Sequence, residues 1–298
     1  MSLKTFVSGA LLLLVVFSQS AFAIGEHDAA QNDPTWQQEY ANVGMGYSSD
    51  TAMYGWNGTG WVNIGTATAI SPHCAIGAAH CALGNNGQMW SKFAMVTGNN
   101  LKTDYWGIYY ATSVAVNPNY TGIGSTDLAI WTFSDTLDVT PAKLYQGPDS
   151  ALLGNLVDSV GFGYLGFAST GAVPGPIDGQ KRGCQNILDE IGYPPFGYGT
   201  DQLVTFFAAP GSSEYQHLGG CLADLDSGGG MFLDGASTPT LVGVDAWTVN
   251  SLGYGVPTGA TSVSQNMAWI NSVVPEPGTF AMLGVAAVTL LLYWKRRR

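Results

Sequence analysis

The stretch GTATAISPHCAIGAAHC, residues 65–81, has the pattern of two short β-strands joined by a turn. Residues 66–70 are rich in β-favouring types, Ser71-Pro72 is a typical turn pair, and residues 74–77 are apolar again. His80 follows two alanines, and such small residues let the chain turn tightly and hold an imidazole at a fixed place. The stretch therefore predicts a β-hairpin with a histidine at its end.

Two other stretches place an aspartate and a serine beside β-like segments. In VAVNPNYTGIGSTDLAIWTF (residues 114–133), Asp127 stands directly before an apolar strand. In ADLDSGGGMF (residues 223–232), Ser227 follows an aspartate and precedes three glycines. A serine hydroxyl needs an adjacent base to act as a nucleophile, and a buried aspartate needs a donor such as an imidazole N–H. Taken alone, Asp127 fits a turn former and Ser227 fits a glycine-rich loop; taken with His80, they predict a nucleophile, a base and an orienting acid.

The first 23 residues have the pattern of a secretory signal peptide. Lys4 gives a positive start, residues 6–17 form an apolar run, and Ala21-Phe22-Ala23 matches the small-x-small cleavage pattern. An uncleaved anchor is the alternative, but the apolar run is short for a bilayer span. We therefore expect export, cleavage by signal peptidase and a mature domain of residues 24–273.

The other end of the chain has the pattern of a short transmembrane helix. Residues 280–294 are uncharged and mostly apolar, and residues 295–298 are a lysine and three arginines. As a helix the segment is roughly 22 Å long, which falls short of a bilayer core of about 30 Å. A buried core helix is disfavoured by the four cations. We therefore expect a transient membrane anchor with its basic end in the cytoplasm.

A short motif precedes this segment. Val274-Pro275-Glu276-Pro277-Gly278, followed by the apolar segment and the arginines, resembles the PEP-CTERM sorting tail of Gram-negative bacteria. The resemblance covers residues 274–298 and implies recognition by an exosortase-type membrane enzyme, with cleavage near Pro275, Glu276 and Pro277. It also implies export across the inner membrane, anchoring in the membrane before the tail is processed, and release to the cell envelope or extracellular matrix.

The composition favours an all-β protein without a nucleic-acid partner. Charged residues make up 10% of the chain, glycines number 40, and many short segments rich in Val, Thr, Tyr, Trp and Phe alternate with Gly, Asn, Ser or Pro. The roughly 250 residues between the two ends suffice for one large or two small domains. Loss of both ends leaves five of the ten cations and twenty of the 21 acidic residues, a net charge of −15, which argues against binding to nucleic acid.

The chain contains four cysteines, Cys74, Cys81, Cys184 and Cys221. An even count in an exported chain predicts disulfides, with three connectivities to choose from. We favour Cys74–Cys81 and Cys184–Cys221, because each pair lies within one half of the chain. A zinc site made by His73-Cys74 and His80-Cys81 is the alternative, but adjacent ligands at both ends strain a tetrahedral geometry. We therefore expect no metal and no other cofactor.

The stretches around His80, Asp127 and Ser227 resemble the histidine, aspartate and serine boxes of the chymotrypsin/trypsin family of serine peptidases, peptidase family S1. The matching residues are Ala78-Ala79-His80-Cys81, Thr126-Asp127-Leu128-Ala129-Ile130 and Asp226-Ser227-Gly228-Gly229-Gly230. The order His, Asp, Ser separates this family from other folds that carry the same triad. Further matches are Val160-Gly161-Phe162-Gly163, Leu241-Val242-Gly243-Val244 with Trp247, and the closing segment 262–273. The resemblance spans about residues 41–273.

The resemblance implies a fold of two antiparallel six-stranded β-barrels with the site in the cleft between them. The first barrel would cover about residues 41–140, the second about 150–260, and a short closing helix about 262–273. The implied activity is that of a serine endopeptidase with a polypeptide substrate. His80 would be the base, Asp127 the residue that orients it, and Ser227 the nucleophile. The backbone N–H groups of Leu225 and Ser227 would form the oxyanion hole, and the substrate pocket would be lined by Cys221, Asp224, Trp247 and Thr248.

The sequence departs from the family pattern at two positions near the site. Leu225 stands where the family has a glycine whose N–H points into the oxyanion hole, which either strains the backbone or turns the peptide away. Gly65 stands where a cysteine would pair with Cys81. Signal cleavage after Ala23 would free Ile24, a candidate for the family's N-terminal residue that pairs with the aspartate before the serine.

The pocket positions argue against a tryptic specificity. Thr248 replaces a glycine at the pocket wall, and no aspartate stands where tryptic enzymes place theirs. We therefore expect that cleavage after Arg or Lys is not the main activity. Two alternatives stay open: a catalytically weak trypsin-like module with a binding or matrix role, and a structural β-protein.

Overall fold

The computed structural model describes residues 24–84, 87–173, 176–249 and 252–274. The predicted signal peptide, the sorting motif Pro275-Glu276-Pro277 and the predicted membrane segment 280–294 lie outside these residues. Among the helices that are described, none has the length and apolar character needed to cross a bilayer.

The described residues form mostly β-strands, as the composition predicts. The strands are β1 (Gly25–Glu26), β2 (Asp50–Trp56), β3 (Trp61–Ser71), β4 (Cys74–Gly77), β5 (Phe93–Asn100), β6 (Asp104–Val116), β7 (Ala129–Phe133), β8 (Lys143–Leu144), β9 (Leu156–Gly161), β10 (Gly166–Phe167), β11 (Gly171–Ala172), β12 (Arg182–Tyr193), β13 (Tyr198–Phe206), β14 (Gly230–Leu233), β15 (Thr240–Thr248) and β16 (Pro257–Ser262). The helices are α1 (Pro34–Met45), α2 (Ala79–Ala82) and the short C-terminal α3 (Met267–Val273).

The first half of the chain closes into a barrel of six antiparallel strands. Their order around the barrel is β2-β3-β4-β7-β6-β5. Trp131 fills much of the interior and is fully buried, and the alanines at 67, 69 and 75 on β3 and β4 leave room for its indole. The prediction of a barrel in this half is confirmed.

The second half forms a sheet of seven strands in the order β14-β9-β12-β13-β16-β15-β8. The first strand in this order, β14, pairs with β9 on one side and also with β15. The last, β8, adds a short parallel pairing to β15 at Thr240 and Leu241. In place of the predicted second six-stranded barrel, this half is therefore described as one seven-stranded sheet with an additional pairing.

An apolar layer joins the two halves. Cys74, Ile76 and Ile130 point outward from β4 and β7 of the barrel and pack in one buried cluster with Phe232, Val244 and Ile270 of the second half. Leu128, next to Asp127, belongs to the same layer and is fully buried. The layer fixes the barrel end that carries His80 and Asp127 against the sheet that leads into and out of the serine loop.

The N-terminal segment packs on the second half. Helix α1 begins at Pro34, where a proline is favoured, and Asp33 caps it by accepting hydrogen bonds from the N–H groups of Thr35 and Trp36. Gly44 lets the helix approach β12 closely, since a Cβ there would lie 2.7 Å from the Arg182 backbone. Strand β1 pairs in parallel with β10, and Gly25 exchanges two backbone hydrogen bonds with Cys221.

Candidate active site

His80 and Asp127 are brought together at the end of the barrel. His80 lies in α2, just after β4, and Asp127 lies just before β7, the strand that pairs with β4. The Nδ1 atom of His80 lies 2.6 Å from Oδ2 of Asp127, and the backbone N–H of His80 donates to Oδ1 at 2.9 Å. Asp127 is fully buried, whereas the imidazole is 24% exposed. One residue therefore satisfies both oxygens of the carboxylate, and Nδ1–H is the tautomer that this geometry favours.

The surroundings of His80 favour its charged form. Burial alone would lower the pKa of His80, but the charges and hydrogen bonds of Cys81 and Asp127 raise it well above its ordinary value. Tyr120 lies close to the same two groups; burial, Asp127 and Cys81 raise its pKa to about 12, so it stays neutral. The Asp127 carboxylate thus stabilises the imidazolium, the form that His80 takes once it has accepted a proton.

The serine loop lies against the barrel. The carbonyl of Ser227 accepts hydrogen bonds from the Thr66 N–H at 2.9 Å and from the Cys81 thiol at 3.4 Å, and the Thr66 hydroxyl donates to the Leu225 carbonyl at 2.9 Å. A Cβ at Gly228 would lie 2.1 Å from the Thr66 carbonyl oxygen, so only a glycine permits this approach. The loop is thereby placed next to the residue that follows His80.

The Ser227 side chain itself is partly exposed. Its hydroxyl makes no hydrogen bond to His80 or to any other residue that the structure describes. The structure thus brings His80 and Asp127 into direct contact and Ser227 into their neighbourhood, with the Ser227–His80 bond not formed.

Leu225 has an unusual backbone conformation. Its φ is +75°, and it is the one non-glycine residue with positive φ in the described part of the chain. A non-glycine residue in this region carries a strain of about 1–3 kcal/mol, which persists only where surrounding contacts enforce it. The backbone strain expected for Leu225 is thus observed, and the direction of its N–H group stays a prediction.

Asp226 is buried beneath the loop. Its Oδ1 accepts from the Gly163 N–H at 2.9 Å and its Oδ2 from the Ala223 N–H at 3.1 Å. Burial raises the pKa of Asp226 to about 8, although these hydrogen bonds act to lower it. A Cβ at Gly161 would lie 2.2 Å from Oδ1, so the Gly-Phe-Gly turn of residues 161–163 is needed to fit around the carboxylate.

Ile24 lies close to the segment that precedes the serine loop. Its side chain is 1% exposed and packs in one cluster with Leu222, the neighbour of Ala223. The next residue, Gly25, is bonded to Cys221. The chain end that signal cleavage would create is therefore anchored beside the segment that wraps Asp226.

The four predicted pocket residues do not form a single cluster. Cys221 is fully buried and packs with Phe207 and Leu252, whereas Asp224 is exposed. Trp247 lies in a separate cluster and donates its indole N–H to Gln202 at 2.8 Å. Thr248 stands opposite Thr258 across the β15–β16 pairing.

The predicted disulfides are not formed, because all four cysteines are free and buried. Cys74 packs in the apolar layer between the two halves, whereas the Cys81 thiol donates to the Ser227 carbonyl, so the two side chains have different surroundings. Cys184 packs with Ile24 and Tyr40, whereas Cys221 faces a different cluster. Burial raises the pKa of Cys221 to about 12, so this thiol is neutral.

Gly65 explains why Cys81 lacks a partner at that position. A Cβ at residue 65 would lie 2.5 Å from the Ser227 carbonyl oxygen and 2.8 Å from the Cys81 sulfur, and the φ of Gly65 is +143°. The serine loop occupies the space that a second cysteine side chain would need.

Several buried polar residues around the site were not predicted from the sequence. Gln202 on β13, Asp50 on β2 and Asp245 on β15 are all fully buried. Asp50 accepts from the Gly230 N–H at 2.9 Å and thereby joins the barrel to β14. The one available signal was the presence of a polar residue within an otherwise apolar strand, as in DQLVTFF around Gln202.

Comparison with known families identifies the C-terminal end of the chain. The model of the PEP-CTERM protein-sorting motif matches residues 273–298, a range that contains Pro275, Glu276 and Pro277. A search of curated proteins finds no match to the chain. The chain therefore carries a PEP-CTERM protein-sorting motif, which indicates processing by an exosortase-type enzyme and export with sorting to the cell envelope or surface.

Proposed function

We propose that the exported domain is a serine endopeptidase in which Ser227, His80 and Asp127 act together. The observation that carries this proposal is the buried Asp127 carboxylate, which binds both Nδ1 and the backbone N–H of His80 at 2.6 and 2.9 Å. A carboxylate in this position fixes the tautomer of the base and stabilises its charged form. The strained backbone at Leu225, beside the serine, further supports a functional site.

The proposed reaction has two halves. The Ser227 oxygen attacks the peptide carbonyl carbon while Nε2 of His80 takes the hydroxyl proton; the C–N bond then breaks and His80 returns the proton to the leaving amine. In the second half, water gives a proton to His80 and attacks the acyl ester, and the proton returns to Ser227. The N–H groups of Leu225 and Ser227 are the proposed donors to the oxyanion, a contribution of roughly 3 kcal/mol per donor.

The fold of the second half is compatible with this proposal. Strands β14, β9, β12, β13, β16 and β15 pair in a continuous ring, because β14 bonds to both β9 and β15. Such a ring is what a second six-stranded barrel requires. The proposed substrate is a polypeptide without Arg or Lys at the cleavage site, since Thr248 and Thr258 face each other across two strands of the proposed pocket.

We propose that the chain is processed at the membrane in three steps. Signal peptidase removes residues 1–23, the segment 280–294 anchors the domain transiently, and an exosortase-type enzyme then releases it.

The second candidate function is a catalytically weak module with a binding or matrix role. The observation that favours it is the Ser227 hydroxyl, which forms no bond to His80 within the described residues.

Labelling with a fluorophosphonate separates the two functions. The reagent reacts with a serine only when a neighbouring base activates it. We expect labelling of the exported protein, loss of labelling in Ser227→Ala, and unchanged labelling in Ser272→Ala, which alters an exposed serine of α3. Absence of labelling in the correctly exported wild type would favour the binding module instead.

A further inference from the structure

Gln202 connects two parts of the candidate site. Its side chain is fully buried on β13. The amide oxygen accepts the Trp247 indole N–H at 2.8 Å, and the amide nitrogen donates to the Ser125 carbonyl at 2.9 Å. The same nitrogen lies 3.4 Å from the Thr261 hydroxyl. One side chain of the second half thus bonds to a predicted pocket residue and to a loop of the barrel.

The Ser125 carbonyl is hydrogen-bonded directly to the backbone of Asp127. It accepts a hydrogen bond from the Asp127 N–H at 2.8 Å in addition to the bond from Gln202. The neighbouring residues of this loop also contact β13. The Thr126 hydroxyl donates to Asp201 at 3.1 Å, and Gly124 lies so close to the Tyr198 ring that a Cβ would be 2.1 Å from it. The loop that carries Asp127 is therefore attached to the second half along three consecutive residues.

We propose that Gln202 is a positioning residue that holds Asp127 in place relative to Trp247 across the two halves of the molecule. This inference rests on the proposed peptidase function, because Trp247 is a wall of the proposed pocket and Asp127 orients the proposed base. A neutral amide is suited to the task, since it donates on one side and accepts on the other. A glutamate would present an acceptor to the Ser125 carbonyl, and a leucine would bond to neither partner.

The proposal predicts a change at His80, which Gln202 does not touch. Besides burial, two groups shift the pKa of His80: Cys81 from its own helix and Asp127 from the loop before β7; the neighbouring Tyr120 interacts with the same two groups. If the Asp127 loop loosens, the carboxylate stabilises the imidazolium less and the pKa of His80 falls. A residue that served only to fill the core would leave this pKa unchanged.

The test uses the domain of residues 24–273 and its Gln202→Leu, Gln202→Glu and Trp247→Phe variants. The first readout is the pKa of His80, followed by NMR of the ring nitrogens, together with the Nδ1–H resonance; it needs no activity. The second is the pH profile of kcat/KM on a peptide substrate. Gln185→Leu is the matched control, because Gln185 donates to Asp158, away from the site.

We expect Gln202→Leu to lower the pKa of His80, to shift the acidic limb of the profile to lower pH, and to reduce kcat/KM roughly 10- to 100-fold, mostly in kcat. Trp247→Phe removes one of the two bonds and should lower the pKa less; it decides the question if neither Gln202 variant folds. An unchanged His80 pKa in every folded variant would overturn the proposal. If the wild type has no peptidase activity while the pKa still shifts, the positioning role stands and the proposed function fails.

Discussion

The histidine side and the serine side of the candidate site are held in opposite ways. On the histidine side, one residue satisfies both Asp127 oxygens, and the neighbouring strand β7 is part of a closed barrel. On the serine side, Leu225 has a φ of +75°, and the Ser227 hydroxyl forms no hydrogen bond within the described residues. Asp226 beneath them is a buried carboxylate with a pKa raised to about 8.

This difference indicates which side of the site can rearrange. A fully bonded pair in a closed barrel has little to gain from rearrangement. A buried carboxylate that lacks a cation gains from one, because unpaired buried charge is costly. We therefore expect the histidine side to be assembled in every form of the protein, and the serine side to respond to the state of the N-terminus.

The largest effect is expected on the histidine side, from a change of Asp127. Asp127→Asn keeps the shape of the side chain but reverses one hydrogen bond, so His80 adopts the wrong tautomer. We expect kcat/KM to fall by about 10⁴-fold with little change in the free energy of unfolding. Asp135→Asn, at an exposed position after β7, is the control and should change neither quantity. A loss of less than tenfold would show that Asp127 does not orient the base.

The next largest effect is expected on the serine side, from a change of the N-terminal residue. A chain that begins at Ile24 has its ammonium group near Leu222, in the segment that leads to Asp226, and a chain that retains Ala23 does not. Leaving the carboxylate unpaired costs about 3–5 kcal/mol, which corresponds to roughly 10²–10⁴ in the active fraction. We expect fluorophosphonate labelling to be slower by this factor in chains that begin at Ala23 or Gly25 than in the chain that begins at Ile24. Equal labelling rates for the three chains would rule out the pairing with Ile24.

A pH dependence sharpens the same comparison. In the uncleaved chain, burial raises the pKa of Asp226 and of Asp50 to about 8 each, far above their value in the unfolded chain. The folded state then binds more protons than the unfolded state between about pH 4 and pH 8, so the free energy of unfolding should fall as the pH rises through this window.

Denaturant unfolding at a series of pH values checks this expectation. Asp226→Asn should make the pH dependence shallower, and so should removal of residues 1–23, since an ammonium at Ile24 would favour the charged carboxylate. A slope that is the same in the cleaved and uncleaved chains would contradict the pairing. A slope of opposite sign would contradict the raised pKa values themselves.

The smallest expected effect is at Leu225. Leu225→Gly relieves the left-handed strain but increases the freedom of the unfolded chain, so a net stabilisation of about 1 kcal/mol is expected. Leu225→Ala keeps the strain and serves as the control. Thermal unfolding should show the glycine variant melting several degrees above the alanine variant. If the two melt together, the backbone at this position is not strained.

The local features of the site could be predicted from the sequence, and the long-range ones could not. The hairpin of β3 and β4 follows from the Thr-rich and apolar runs on either side of Ser71-Pro72, and His80 sits at its end as expected. The unusual position of Leu225 was visible because the family that the sequence resembles has a glycine there. Gln202 was not predictable as a bridge, because its partners Ser125 and Trp247 are distant in sequence and meet only in the folded chain.

Two other features illustrate what a single sequence hides. Helix α1 carries a clear start signal in Asp33-Pro34, yet its buried residues are only Tyr40, Ala41 and Gly44, so no apolar stripe marks it. The cysteine count predicted disulfides, whereas all four cysteines are free and Cys74 and Cys81 have different neighbours. Spacing along the chain does not reveal in which direction a side chain points.

The pairing of β1 has a consequence for the timing of export. The residues that hold this first strand, Gly166 on β10 and Cys221 before the serine loop, follow it far along the chain. A chain that crosses a membrane from its N-terminus thus presents its opening segment long before any partner for that segment has emerged. Strand β1 is exported first but can pair only after residues 166 and 221 have followed, so catalytic competence would be delayed until most of the domain has been delivered.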